Sequence, residues 1–187
     1  MSDSAPFQPG LHHIALVCKD VPATHRFYGD LLGLRLIYTE RTDLRGGYLR
    51  HFFYDIGDGG CIAFFDLHDV GEPESYDTAI STGLGLPAWV NHVALRATAE
   101  QVAEVRARFA AAGEEDPMVL EHGWSHSTYF KDPNGNLLEL CVDTPGFIAD
   151  PAGAETLRTA SRSAPGERRS STGAAVVDST LMVPPSL

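Results

Sequence analysis

Two short segments, Leu11-His12-His13-Ile14-Ala15-Leu16 and Val90-Asn91-His92-Val93-Ala94-Leu95, repeat one pattern in the two halves of the chain. A duplication limits the fold more than any composition does, because whatever unit the first half builds the second must build again. Each copy reads as a strand and is followed by helix signals. After the first, Asp20 can cap, Pro22 suits a first turn, and Phe27, Tyr28, Leu31 and Leu32 recur at helical spacing before Gly33. After the second, Thr98-Ala99-Glu100-Gln101 is a capping box, with Val102, Val105 and Phe109 on one face and Gly113 as the stop. Three strand-like runs complete each half. They are Leu34 to Thr39, Tyr48 to Ile56 and Cys61 to Leu67, then Met118 to Glu121, Ser127 to Phe130 and Leu137 to Val142. Gly46-Gly47, Gly57-Asp58-Gly59-Gly60, Gly123 and Asp132-Pro133-Asn134-Gly135 supply the turns. The pattern is an α+β arrangement in which a strand, a helix and three strands occur twice, over residues 10–67 and 90–147, with residues 68–89 as linker.

The flanks differ in kind. Residues 1–9 read as an extension, and residues 148–187 hold no aromatic side chain and are rich in Ala, Ser, Thr, Pro, Gly and Arg, so they cannot build a core. That low-complexity tail, with Leu181-Met182-Val183 near its end, is assigned no function. Its four acids and four arginines cancel, which places the whole net charge of −11 on residues 1–147. An acidic body repels phosphate backbones and anionic head groups, so neither nucleic acid nor a membrane is an expected partner. No apolar run is long enough to span a bilayer and the first residues lack signal-peptide character, so the expected compartment is the cytoplasm. Cys18, Cys61 and Cys141 are odd in number and far apart, which reads as free, packed thiols.

Strand parity picks out the chemistry. Successive side chains in a strand face opposite ways, so His13 shares a face with Leu11, Ala15 and Val17, and His92 shares one with Val90 and Ala94. Glu139 faces the way of Leu137 and Cys141, where an apolar surface is expected, and a carboxylate there needs a partner. Taken singly, each has an ordinary structural explanation, a hydrogen-bonded core or edge histidine or an ion-pair carboxylate. Histidines at equivalent places in both halves, with a carboxylate on a converging strand, make a set of divalent-metal ligands.

The chain resembles the vicinal oxygen chelate superfamily, which includes glyoxalase I, fosfomycin and bleomycin resistance proteins and extradiol dioxygenases. The resemblance covers about residues 10 to 146 and rests on three stretches. The first is His13-Ile14-Ala15-Leu16 with Asp20 and Phe27-Tyr28-Gly29-Asp30-Leu31-Leu32-Gly33-Leu34; the second is Asn91-His92-Val93-Ala94-Leu95. The third runs Tyr129-Phe130-Lys131-Asp132-Pro133-Asn134-Gly135-Asn136-Leu137-Leu138-Glu139-Leu140. It implies paired βαβββ modules whose sheets curl around a central metal cleft, with His13, His92 and Glu139 as ligands. It also implies pairing of modules between chains, hence a homodimer, although one chain already holds two modules.

Lyases and isomerases of this superfamily carry a further carboxylate on the last strand of the first module, where Ala63 or Phe64 stands here; Asp66 is displaced from that place. Two histidines and one glutamate form the facial triad of non-haem Fe(II) oxygenases. The resemblance therefore implies an extradiol-type ring-cleaving dioxygenase acting on a catechol-like or other vicinal-oxygen substrate, with Fe(II), or else Mn(II), Zn(II) or Ni(II). The same likeness gives Tyr129, ten residues before Glu139, and His51 the catalytic roles of substrate orientation and proton transfer. His122 and His126, flanking Gly123-Trp124, are expected at the cleft mouth. Phe52, Phe64, Trp89 and Trp124 fit a flat or apolar ligand, and packing explains them equally. His12, His25 and His68 are expected on the solvent side. Two rival readings use the same frame. One is a glyoxalase-like lyase, isomerase or thiol transferase in which water or Asp66 completes the metal shell; the other is a non-catalytic drug- or metabolite-binding protein of the bleomycin-resistance kind.

Overall fold

A computed structural model describes residues 10–159; the expected extension 1–9 and the end of the tail, Leu181-Met182-Val183 included, lie outside the described residues. The first half contributes β1 (His13–Cys18), α1 (Val21–His25) running into a π-helical turn (Arg26–Leu31), β2 (Leu36–Leu44), β3 (Gly47–Gly57) and β4 (Gly60–His68). The second contributes β5 (His92–Arg96), α2 (Ala99–Ala111), β6 (Met118–Glu121), β7 (Ser125–Lys131) and β8 (Leu137–Asp143). A helix α3 (Pro151–Thr159) follows. The strands form two four-stranded mixed sheets of identical plan, β1-β4-β3-β2 (sheet A) and β5-β8-β7-β6 (sheet B), with β1 parallel to β4 and β5 parallel to β8. This is the paired βαβββ fold.

Local chemistry accounts for most of these elements. Asp20 accepts from the Ala23 amide to start α1, and Thr98 and Gln101 close a reciprocal capping box on α2. Asp58 and Gly59 both have positive φ between the paired Gly57 and Gly60, the backbone that a tight right-twisted hairpin demands. The first helix departs from the regular α-helix its spacing predicts. Leu32 N–H donates to Phe27 C=O at 3.0 Å, five residues back, and the widened turn sets Phe27, Tyr28 and Leu31 together into the core. Strand β2 reaches Leu44 rather than stopping at Thr39, with a bulge between Leu36 and Tyr38. As an edge strand exposed along its length it carries no alternation of apolar and polar residues, so pairing with β3 defines it instead. Helix α3 forms inside the stretch read as low complexity; Asp150 caps it and none of its residues is buried.

One core joins both halves. Leu16, Tyr28, Tyr54, Ile62 and Phe64 from the first pack in the same cluster as Val93, Phe109, Phe130 and Leu138 from the second. Polar contacts tie the halves as well. The Tyr28 hydroxyl donates to Asp132 at 2.9 Å, and Arg108 donates to the Leu31 and Leu32 carbonyls at 2.7 and 2.8 Å. The helices and one face of each sheet are thus spent on joining the modules, and the opposite faces remain turned away from the shared core. Sheets A and B are not closed around one cleft within the chain. Between their edge strands β1 and β5 lies an open groove of about 990 Å³, lined by apolar groups such as Leu11, Ile14, Ile56, Val93 and Leu95 and bordered by His92.

Candidate active site

The strand registers fix which side chains share a face. In sheet A, His13 pairs with Cys61, Ala15 with Ala63 and Val17 with Phe65, while Phe53 pairs with Ala63 and His51 with Phe65. In sheet B, His92 pairs with Leu137, Ala94 with Glu139 and Tyr129 with Glu139. Superposing the repeats by these pairs puts Ala63 in the place of Glu139. That resolves the choice between Ala63 and Phe64, and the residue cannot bind a cation.

Sheet B assembles a polar chain. The Glu139 carboxylate is 3% exposed and lies 3.0 Å from His92 Nε2. His92 Nδ1 is 2.9 Å from the Trp89 carbonyl, which can only accept, so the ring proton belongs on Nδ1. A neutral His92 then turns a bare Nε2 toward a carboxylate oxygen, two electron-pair donors facing one another. A proton or a cation shared between the two atoms relieves that conflict, and this donor set fits a divalent metal, with the Trp89 carbonyl orienting the ligand ring. Beyond Glu139 stands Tyr129, whose phenol is pushed up to about 12 by burial and then by the Glu139 charge, so it stays protonated at neutral pH. His122 Nε2 is 2.9 Å from the Tyr129 hydroxyl, and the His122 ring stacks on Trp124 at 5.7 Å between centroids.

Sheet A holds the other half of the candidate set. The His13 and His51 ring centroids are 6.2 Å apart, and His13 Nδ1 lies 2.7 Å from His12 Nδ1. His51 is stacked on Phe65 at 3.8 Å and packed by Phe53 at 4.1 Å; its Nε2 is buried with no hydrogen-bond partner. Burial lowers its pKa from the ordinary histidine value, against the opposing pull of Glu40, whose carboxylate is 3.6 Å from Nδ1. His13 does not join His92 and Glu139 within the chain. Among the described residues no group of three or more His, Cys, Asp or Glu side chains is placed to hold a metal ion.

Several expected residues fall elsewhere. Phe52 and Phe64 pair with each other on the core side of sheet A, packed with Tyr28 and Tyr54, so they line no ligand surface; parity puts their neighbours Phe53 and Phe65 beside His51 instead. His126 lies on the face of β7 away from Tyr129 and pairs with Glu121, so it does not stand beside His122 in the polar chain. Trp124 and Trp89 are exposed. Asp66 also faces the core side, held by Arg50 at 2.8 Å and His68 at 2.9 Å, with no bulge to turn it toward His13. A shell completed by Asp66 is therefore ruled out by the register. His25 is exposed, on the solvent side as expected, with its Nδ1 2.9 Å from the Tyr54 hydroxyl. The three cysteines are free; Cys18 is buried, whereas Cys61 and Cys141 are half-buried beside His13 and Glu139 on the site faces.

The two sheets thus repeat one βαβββ frame, with histidines at equivalent places and one buried glutamate. Residues 10–140 match the model of the Glyoxalase/Bleomycin resistance protein/Dioxygenase superfamily. The chain belongs to that superfamily. It is 27% identical over 135 residues to biphenyl-2,3-diol 1,2-dioxygenase 3 of Rhodococcus globerulus, across 72% of this chain and 64% of that protein, so it spans less than two thirds of that relative. Among solved structures, a glyoxylase/bleomycin resistance protein/dioxygenase domain from Frankia sp. EAN1pec shares the fold at 19% identity, covering 75% of this chain and 96% of that one with a TM-score of 0.55. A mutant of the fosfomycin resistance protein FosX of Listeria monocytogenes, complexed with Mn(II) and 1S,2S-dihydroxypropylphosphonic acid, is 25% identical over 74% of this chain and 96% of that one, with a TM-score of 0.51.

Proposed function

We propose that the protein is an extradiol-type ring-cleaving dioxygenase for a small catechol-like substrate, with His13, His92 and Glu139 as the ligands of a divalent cation, Fe(II) in the first instance. The observation that carries this reading is the chain of contacts from His92 to Glu139, Tyr129 and His122, which sets a protonated phenol beside the carboxylate and a second imidazole behind the phenol. When bound, the cation supplies Lewis acidity toward vicinal hydroxyls and redox capacity toward dioxygen. Tyr129 orients a substrate oxygen as a donor, and His122 and Trp124 hold Tyr129 in place. His51, stacked on Phe65 and packed by Phe53, accepts a substrate hydroxyl proton. Ala63 at the place in sheet A equivalent to Glu139 leaves three protein donors rather than four, which favours oxygen chemistry over the lyase reading.

The site takes His13 from one copy and His92 with Glu139 from a second, in a homodimer. His13 stands on a face that its own chain leaves open, and the His92–Glu139 pair lacks a third donor within its chain. Glu139→Gln is expected to abolish both bound metal, by elemental analysis of anaerobically purified protein, and oxygen uptake with catechols; full metal content in this variant refutes the ligand assignment. Mixing His13→Ala with Glu139→Gln protein after dissociation is expected to restore about a quarter of the intact sites, as statistical exchange in a two-fold dimer requires. No recovery refutes the shared site.

A further inference from the structure

We propose that the His13 face of sheet A is the wall that selects the substrate, with Phe53, Phe65 and Tyr38 as its specificity-determining residues, and that it takes a flat aromatic diol bearing no additional negative charge. The proposal rests on the shared site described above and assigns its substrate class. Along this face the register sets Tyr38 opposite Phe53 and Glu40 opposite His51, with Phe65 next to His51 on the following strand. The rings form one continuous aromatic surface. His51 stacks on Phe65 with 12° between planes, Phe53 meets His51 at 4.1 Å and His13 edge-on at 5.7 Å, and Tyr38 lies 5.7 Å from Phe53. Phe53 and Phe65 are half-buried and Tyr38 is exposed, so ring area remains open toward a ligand reaching His13. A planar aromatic ligand gains both area burial and offset or edge-on ring contacts on such a surface.

Charge on the wall points the same way. Its own carboxylate, Glu40, stands beside His51, and the cation Arg35 is matched by Asp55 at 3.0 Å. Arg41 and Arg50, the other cations of β2 and β3, lie on the opposite face, bound to Asp43 and Asp66. None of Arg35, Arg41 and Arg50 is left unmatched to receive a carboxylate or phosphonate on this face, and Glu40 repels one. Across the shared site, Arg96 on sheet B is set against Asp143, and Lys131 stands exposed at the end of β7. Lys131 could receive an anionic substituent there, which makes anionic probes the decisive comparison.

The test is anaerobic isothermal titration of the purified full-length protein with catechol, 2,3-dihydroxybiphenyl, 3,4-dihydroxybenzoate and 1,2-dihydroxypropylphosphonate, so that binding is read without turnover. The neutral diols are expected to bind at least about tenfold more tightly than the carboxylated one, an ordinary cost for an unmatched like charge. Phe53→Leu and Phe65→Leu, which keep an apolar side chain, should weaken both neutral diols by about two- to tenfold, with thermal melts confirming that the variants are folded. Glu40→Lys should narrow the gap between catechol and 3,4-dihydroxybenzoate. Equal or tighter binding of the benzoate or the phosphonate overturns the proposal, as does wild-type affinity in both leucine variants or no binding of the neutral diols. If the neutral diols bind as stated but no oxygen is consumed with them, the dioxygenase reading fails while the selective wall stands.

Discussion

Asp132 offers a sharp test of how the two modules are held together. Its carboxylate is almost fully buried and receives four hydrogen bonds, from the Asn134 and Asn136 amides at 2.9 and 2.7 Å, the Asn134 side chain at 3.2 Å and the Tyr28 hydroxyl of the other module at 2.9 Å. Asp132→Ala strands four buried donors. Each costs about 1–3 kcal/mol, partly offset because a buried charge also disappears, so a net loss of about 3–5 kcal/mol is expected. In a chain of this size that lowers Tm by about 6–20 °C. Tyr28→Phe removes one charge-assisted bond and should cost about 1.5–3 kcal/mol. Urea unfolding of both single variants and the double variant closes a cycle, and a coupling energy below about 0.5 kcal/mol refutes the claim that this pair joins the modules. The sign of the pH effect is also fixed. Burial holds the Asp132 carboxyl above the usual aspartate range despite its hydrogen bonds. The contribution of this group is therefore complete below the unfolded value of about 3.9 and is lost as pH rises through the folded pKa. The stability of wild type relative to Asp132→Asn should rise as pH is lowered from about 7 toward about 4; a flat or falling difference contradicts it.

Two further outcomes follow from packing. Burial pushes the Cys18 thiol up to about 12, so at pH near 8 a thiol reagent should modify Cys18 on the order of a thousandfold more slowly than an ordinary thiol, and fully only after unfolding. Mass mapping that finds Cys18 labelled as fast as the half-buried Cys61 and Cys141 would contradict the structure. A Cβ on Gly47 would lie 1.8 Å from the His68 carbonyl oxygen. Gly47→Ala should therefore cost about 3 kcal/mol through a forced backbone shift, and an unchanged urea midpoint would refute that packing.

The limits of sequence reading show most clearly at the two aromatic pairs of sheet A. In Phe52-Phe53 and Phe64-Phe65 each strand places one ring on either face, and with identical side chains the alternation carries no information about which ring meets the core. Only the register decides that Phe52 and Phe64 meet the core while Phe53 and Phe65 stand beside His51. The same ambiguity affected His126, one position out of step with Tyr129. His92 and Glu139 are legible singly because both stand out of place on apolar strands, and the pairing of β5 with β8 inside the second module brings them together.

The amino-acid sequence by itself determined the repeat, the turns, the helix caps and the odd polar residues on apolar strands, since these depend on contacts between near neighbours and on a period of two. Tertiary structure alone decided that the shared core lies between the modules, which leaves His13 exposed on sheet A and sets His92 beside the buried Glu139 on sheet B. The physical reason is that pairing of whole faces is a long-range choice set by total buried area, and no local pattern encodes which of two apolar faces a sheet will spend on its own chain.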